Sequence, residues 1–323
     1  MTAASAGRAH VRATLLIAAS ACCFGSIAPL TVIALKGGAA LQSIQAWRYV
    51  TTAIVLMAYA LWRPSPVRVS DSGGTNVSAW YTPKVLLIAG GGQATIATLA
   101  LMALRWLPAS TTSFLFYTYP AWVAVLVALR GIEPLTPRRV LALVLAIGGI
   151  TAMVGAPSSA ALHPAGLMLI LSAALVYALY IPLLNSLQRH RPGLDVARAI
   201  ATGGAILFVT WALVTKTMLA HHDIRSIAAS VMQGVLSAGA FLGFLAGLAQ
   251  LGPVRTAITS TVEPFWTALV GIFVLGQPLG GGTVVGGIAI MTAVVLLQRP
   301  DVASARLHSS SSHVGGQPGP PTP

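Results

Sequence analysis

Glu263 is the residue of this chain best placed to do chemistry. Six acids occur in 323 residues, and five of them, Asp71, Glu133, Asp195, Asp223 and Asp301, fall at charge clusters, helix ends or polar segments, whereas Glu263 sits near the middle of an apolar run. An ionised carboxylate in hydrocarbon costs on the order of a few kcal/mol, so it needs a cation, a proton or water. Such a group can contact a substrate or exchange protons, its affinity for the proton raised by desolvation; the bland reading is a neutral, hydrogen-bonded acid bracing the break at Pro264. Arg48 is the one cation well inside an apolar run. It can face a carboxylate, or, lying near the end of its run, lift its guanidinium to water. Gln93, Tyr119, Tyr180 and Trp266 are expected as walls of a shared cavity, with Ser26, Thr95, Tyr117, Tyr177, Gln233 and Ser237 nearby. Pro29, Pro120, Pro182 and Pro264 free backbone carbonyls and bend helices, which makes them expected hinge or cavity residues.

Other chemistries lack their residues. No Gly-x-Ser-x-Gly, His-Glu-x-x-His or Walker lysine pattern occurs, and Gly280, Gly282 and Gly286 miss the dinucleotide spacing. No catalytic residue, metal or organic cofactor is therefore expected. His221 and His222 beside Asp223 read as a solvated loop, Cys22 and Cys23 are adjacent and exclude a disulfide framework, and Asn76-Val77-Ser78 is a formal sequon on an expected inner loop. Gly90-Gly91-Gly92 and the series Gly239, Gly243, Gly247 read as close helix contacts.

Positioning these residues requires helices in lipid. The chain is 56% apolar and 8% charged, and uncharged stretches run from 13 to 35, 85 to 104, 106 to 129, 140 to 188 and 226 to 254, each long enough to cross a bilayer. Lipid offers no partner to backbone N–H and C=O groups, and the runs lack the alternation of a membrane barrel. About ten spans result: 13 to 36, 43 to 62, 83 to 104, 109 to 129, 138 to 156, 164 to 187, 194 to 215, 229 to 251, 253 to 276 and 282 to 298. Arg8, His10 and Arg12 before the first run, with Ala19-Ser20-Ala21-Cys22 inside it, imitate a cleavable signal, but the apolar sequence continues to Leu35 and a retained span is expected. With the N-terminus inside, the net charge of +13 becomes topological: about fourteen cations fall on inner loops and tails against four outside, so both termini are expected to be cytoplasmic and no nucleic-acid partner is implied. Residues 64 to 82 read as a polar inner loop with an interfacial piece at Trp80 and Tyr81, and the Ser/Gly/Pro composition after Asp301 as a disordered tail.

Sliding the chain on itself by 144 positions aligns Tyr119-Pro120-Ala121-Trp122 with Glu263-Pro264-Phe265-Trp266, and Glu133-Pro134-Leu135 with Gln277-Pro278-Leu279. The same shift pairs Gly90 with Gly234 and Leu107 with Leu251, and slightly larger shifts pair Pro29 with Pro182 and Arg48 with Arg198. The chain thus divides into an N-terminal segment (1–12), two repeats of five spans (13–156 and 157–298) and a tail (299–323). An odd number of spans inverts the second copy, so the expected fold is an all-α polytopic membrane protein of two inverted five-helix repeats.

The Tyr119-Pro120 and Glu263-Pro264 steps, each followed by Gly131-Ile132-Glu133-Pro134-Leu135 or Gly276-Gln277-Pro278-Leu279 and a glycine-bearing span, with Arg48 early in span two, resemble the EamA-type transporters of the drug/metabolite transporter superfamily. The resemblance covers roughly 13 to 298. Gln277 departs from it, standing where the second repeat usually has Glu. The resemblance implies a central site lined by spans one, three, four, six, eight and nine, and a secondary transporter, expected to be an exporter, of small organic solutes such as amino acids or drug-like molecules across a bacterial inner membrane by alternating access. Proton coupling through Glu263 and a homodimer are further expectations. A lipid scramblase or channel stays open as an alternative; a membrane-embedded lipid enzyme would need clustered acids or histidines.

Overall fold

The computed structural model describes residues 3–63, 82–107, 109–155, 163–218, 223–276 and 280–298. The loop around Trp80 and Tyr81, the sequon at Asn76, His221-His222, Gln277 and the C-terminal tail lie outside these residues. Every element is helical. In chain order they are α1 (Ala3–Gly25), α2 (Ile27–Lys36), α3 (Leu41–Trp62), α4 (Pro83–Val85) running through a π-helical turn (Leu86–Gly91) into α5 (Gly92–Ala103), α6 (Ala109–Phe116), α7 (Tyr119–Leu129), α8 (Pro137–Val154), α9 (Pro164–His190), α10 (Gly193–Val214), α11 (Ile224–Leu251), α12 (Pro253–Thr259), α13 (Val262–Leu275) and α14 (Gly281–Gln298). Among the described residues, seven segments are long and apolar enough to cross a membrane: Gly7–Lys36, Pro83–Ala103, Thr111–Leu129, Pro164–His190, Gly193–Val214, Ile224–Leu251 and Pro253–Val274. Gly281–Leu297 is a shorter apolar helix. Leu61, Leu129, Val214 and Phe273 are among many large apolar side chains on the outside, the distribution of a bundle solvated by lipid.

Three of these segments are broken into half-helices. Ser26 separates α1 from α2, Tyr117 and Thr118 separate α6 from α7, and Ser260 and Thr261 separate α12 from α13. In each case a proline falls in the first turn of the second half: Pro29 in α2, Pro120 in α7 and Pro264 in α13. There the missing N–H removes no intrahelical bond, because the first N–H groups of a helix lack partners anyway. Pro182 behaves differently, lying within the unbroken helix α9. Span one is thus divided while its repeat counterpart is continuous, a difference that the matching prolines did not foretell. The π-helical turn in span three had no sequence signal either.

Packing follows the duplication. α1 packs on α11 as α9 packs on α5; α3 packs on α11 as α10 packs on the π-helical turn; α1 meets α13 as α9 meets α7. The pairs α3 with α10 and α8 with α14 join corresponding elements of the two halves, and α7 packs on α12, the other half of its counterpart span. Small residues set the closest approaches. At the crossing of Gly90 and Gly203, a Cβ on Gly90 would fall 2.5 Å from the Gly203 Cα, so neither position has room for a side chain. Of the glycine series on α11, Gly243 and Gly247 lie against α1, whereas Gly239 faces open space.

Candidate functional site

Glu263 enters the site as the second residue of α13, and this local structure accounts for a carboxylate inside an apolar run. The break at Ser260-Thr261 starts a new half-helix at mid-span, where the Glu263 N–H donates to Ser260 O at 3.0 Å and the positive end of the helix dipole favours a negative charge. The same break in the first repeat presents Tyr117, whose hydroxyl is within hydrogen-bonding reach of the Glu263 carboxyl. The break in span one docks on the same turn: Thr267 Oγ1 donates to Gly25 O at 2.9 Å, and Trp266 Nε1 donates to Ser26 Oγ at 2.9 Å. A Cβ on Gly25 would come 2.7 Å from the Glu263 carbonyl oxygen, so a glycine is needed for this approach.

Arg48 lies about two turns into α3 and is 8% exposed. Its Nε donates to Ser237 Oγ on α11 at 2.8 Å, its Nη1 reaches Gln45 Oε1 at 3.4 Å, and its guanidinium carbon stands 5.1 Å from the Tyr49 ring centroid. The side chain is therefore turned into the bundle and does not snorkel. Arg198, its counterpart in the second repeat, pairs instead with Asp195 on its own helix at 3.4 Å.

Arg48 and Glu263 face one cavity of about 500 Å³. Gln93, Gln45, Tyr177 and Tyr180 supply further polar atoms, and Phe24, Phe116, Phe241 and Phe244 are among the apolar residues of the wall. The wall reaches Leu35, Leu41 and Leu104, at helix ends beside the turns after α2 and α5, and stops at the buried Leu184, Ile200 and Phe244. The cavity thus opens at the end of the bundle that holds those turns and is floored toward the other end.

Of the residues singled out in the sequence, Glu263, Arg48, Gln93, Tyr177 and Tyr180 line this cavity. The Tyr180 hydroxyl donates to Ala89 O, and its ring lies on Gly92. Tyr119 stands behind the wall, 1% exposed, with its ring 4.6 Å from that of Tyr177 and its hydroxyl 3.4 Å from Ala257 O. Trp266, one turn after Glu263 on α13, is outside the lining and holds the α1/α2 break. Pro29, Pro120, Pro182 and Pro264 are outside the lining; three of them mark where half-helices begin. Gln45, Thr31, Thr112 and Ser113 line the cavity without having been singled out. Gln45 could have been found, because it lies one helical turn before Arg48 and shares its face.

The EamA-like transporter family matches the chain over residues 11–155 and 164–299. Among solved structures, one crystal structure of a protein aligns with a TM-score of 0.74 at 18% sequence identity, covering 88% of this chain and 97% of that one, a likeness of fold. No curated protein matches the chain. Two family matches laid over the two halves, an all-helical bundle with multiple membrane-length apolar segments and a cavity lined by residues of both halves agree with one another: the chain is a multi-pass membrane protein belonging to the EamA-like transporter family.

Proposed function

We propose that the protein is a secondary transporter of small zwitterionic solutes with an apolar side chain, amino acids being the simplest class. The observation that carries this reading is the presence of Arg48 and Glu263 on the wall of one largely apolar cavity of about 500 Å³. A guanidinium suits a carboxylate, Glu263 suits an ammonium group, and the phenylalanines suit the side chain between them. Glu263 holds either a proton or the substrate's ammonium, and that competition couples export to proton entry. The chain crosses the membrane ten times: α3 and α8 complete the set, since each packs along its repeat counterpart, α10 and α14, and α3 turns its Arg48 inward. Five spans per repeat invert one half relative to the other, so rocking of the halves exposes the site alternately to the two sides. The cation bias supports an orientation with both termini in the cytoplasm and the cavity mouth outside, and the family resemblance supports a bacterial inner membrane.

Counterflow into liposomes carrying purified protein tests this. Saturable exchange is expected with apolar zwitterionic amino acids, and much less with the corresponding amines or acids. Equal exchange of all three classes refutes the zwitterion reading, lipid movement without saturable solute exchange favours a scramblase, and conduction far above a transporter's turnover favours a channel.

A further inference from the structure

The floored end of the bundle carries a charged cluster that the transport site does not use. Glu133, in the turn after α7, reaches from the first repeat to the α11/α12 turn of the second. Its Oε2 lies 2.8 Å from Arg139 Nη1 at the start of α8, and its carboxyl accepts the N–H of Val254. Val254 is the second residue of α12, so the carboxylate caps a helix start belonging to the other repeat. The contact is close because Gly252 lies beneath it: a Cβ there would be 2.5 Å from Glu133 Oε1. Arg139 Nη1 also donates to Pro134 O at 2.9 Å, and Arg255 on α12 brings a second guanidinium toward Glu133. Arg255 Nη1 is 3.1 Å from His10 Nε2 on α1, and that ring nitrogen is 3.3 Å from Leu297 O on α14. One cluster therefore ties both repeats together at the end where the cavity is closed.

The 144-residue register shows how the other end differs. It places Gln277, Thr283 and Thr111 where Glu133, Arg139 and Arg255 stand. The register holds in the elements as well, α8 beginning at Pro137 and α14 at Gly281. The three charges of the cluster thus correspond in sequence to uncharged residues, and the cluster stands at the end away from the cavity mouth.

We infer that Glu133, Arg139 and Arg255 form a one-sided latch between the repeats, whose parting opens the floored end and whose presence at one end only biases the bundle toward the conformation seen here. Attraction between a carboxylate and two guanidiniums adds a term that an amide and two hydroxyls lack, so an otherwise two-fold arrangement of helices rests with the charged end shut. The inference rests on the alternating-access reading but is measured without transport.

The test is a distance measurement. Spin labels on Leu135→Cys and Gln250→Cys, both exposed and on either side of the cluster, are introduced with Cys22→Ser and Cys23→Ser, and the distance distribution is read by pulsed electron resonance in nanodiscs. Short distances are expected to dominate in the parent. The triple variant Glu133→Gln, Arg139→Thr, Arg255→Thr, which copies the residues that the register pairs with them, is expected to shift the ratio of long to short distances about tenfold toward long, the size expected for losing one partly buried ion pair together with the attraction of a second guanidinium. Arg255→Thr alone keeps the carboxylate paired with Arg139 and its cap on α12, and is expected to shift the ratio the same way by less; it serves if the triple variant does not fold. An unchanged or shortened distribution in the folded variants overturns the latch, even if solute exchange persists. A shift to long distances upholds the latch, even if no solute is exchanged and the transport reading fails.

Discussion

Replacing Arg48 by methionine is the most informative perturbation of the proposed site, because it removes a charge while keeping most of the volume. Arg48 is 8% exposed and fixed by Ser237 at 2.8 Å, so little conformational freedom remains to be lost when a carboxylate arrives. A hydrogen bond to a charged group contributes about 1.5 to 3 kcal/mol, and a guanidinium in an apolar cavity lies toward the upper part of that range. At about 1.4 kcal/mol per decade, Arg48→Met should weaken binding of a zwitterionic amino acid roughly 10- to 150-fold. The decarboxylated amine makes no contact with Arg48 and feels it only through the charge Arg48 sets near Glu263, so its affinity should change much less than that of the amino acid. Isothermal titration of purified protein with the amino acid, the amine and the corresponding acid measures this directly. Glu263→Gln should show the reverse pattern, weakening the amine and sparing the acid. If Arg48→Met weakens amine and amino acid equally, the loss comes from a disturbed cavity, and the assignment of the carboxylate to Arg48 is refuted.

Three further outcomes follow from the same geometry. Glu263→Gln should abolish accumulation driven by a pH gradient while downhill exchange at saturating solute continues, and full uphill transport in reconstituted vesicles would remove Glu263 from the coupling. Trp266→Phe deletes the 2.9 Å bond to Ser26 that holds the α1/α2 break on α13; it should cost about 0.5 to 1.5 kcal/mol in thermal unfolding and, since Trp266 is not part of the cavity wall, leave solute affinity near that of the parent. Gly203→Leu inserts a side chain where Gly90 already sits in contact. A destabilisation of at least about 1 to 3 kcal/mol is expected, whereas Gly239→Leu, at a position with nothing within 4 Å, should leave the melting temperature almost unchanged.

The amino-acid sequence by itself determined the solvent and the duplication. Apolar runs of bilayer length need internally satisfied backbones, which makes them helices, and prolines and tryptophans recurring at a fixed offset of 144 mark two copies irrespective of how the helices pack. It also picked out Glu263 and Arg48, because a charge in an apolar run is conspicuous wherever its partners are. Their partners were decided by the tertiary structure. Ser237 is 189 residues from Arg48, and Tyr117 reaches Glu263 because two half-helix breaks meet; pairings at such separation leave no trace in local spacing. Tyr119 and Trp266 were chosen as walls from their neighbours in sequence, yet helix rotation turns one behind Tyr177 and the other toward Ser26. The prolines announced irregular backbone but not its kind, since the surrounding packing lets α9 run through Pro182 while three other segments divide. Glu133 read as one more loop acid until the fold laid its carboxylate on the first turn of α12, and the departure at Gln277 then became a difference between the two ends of the bundle.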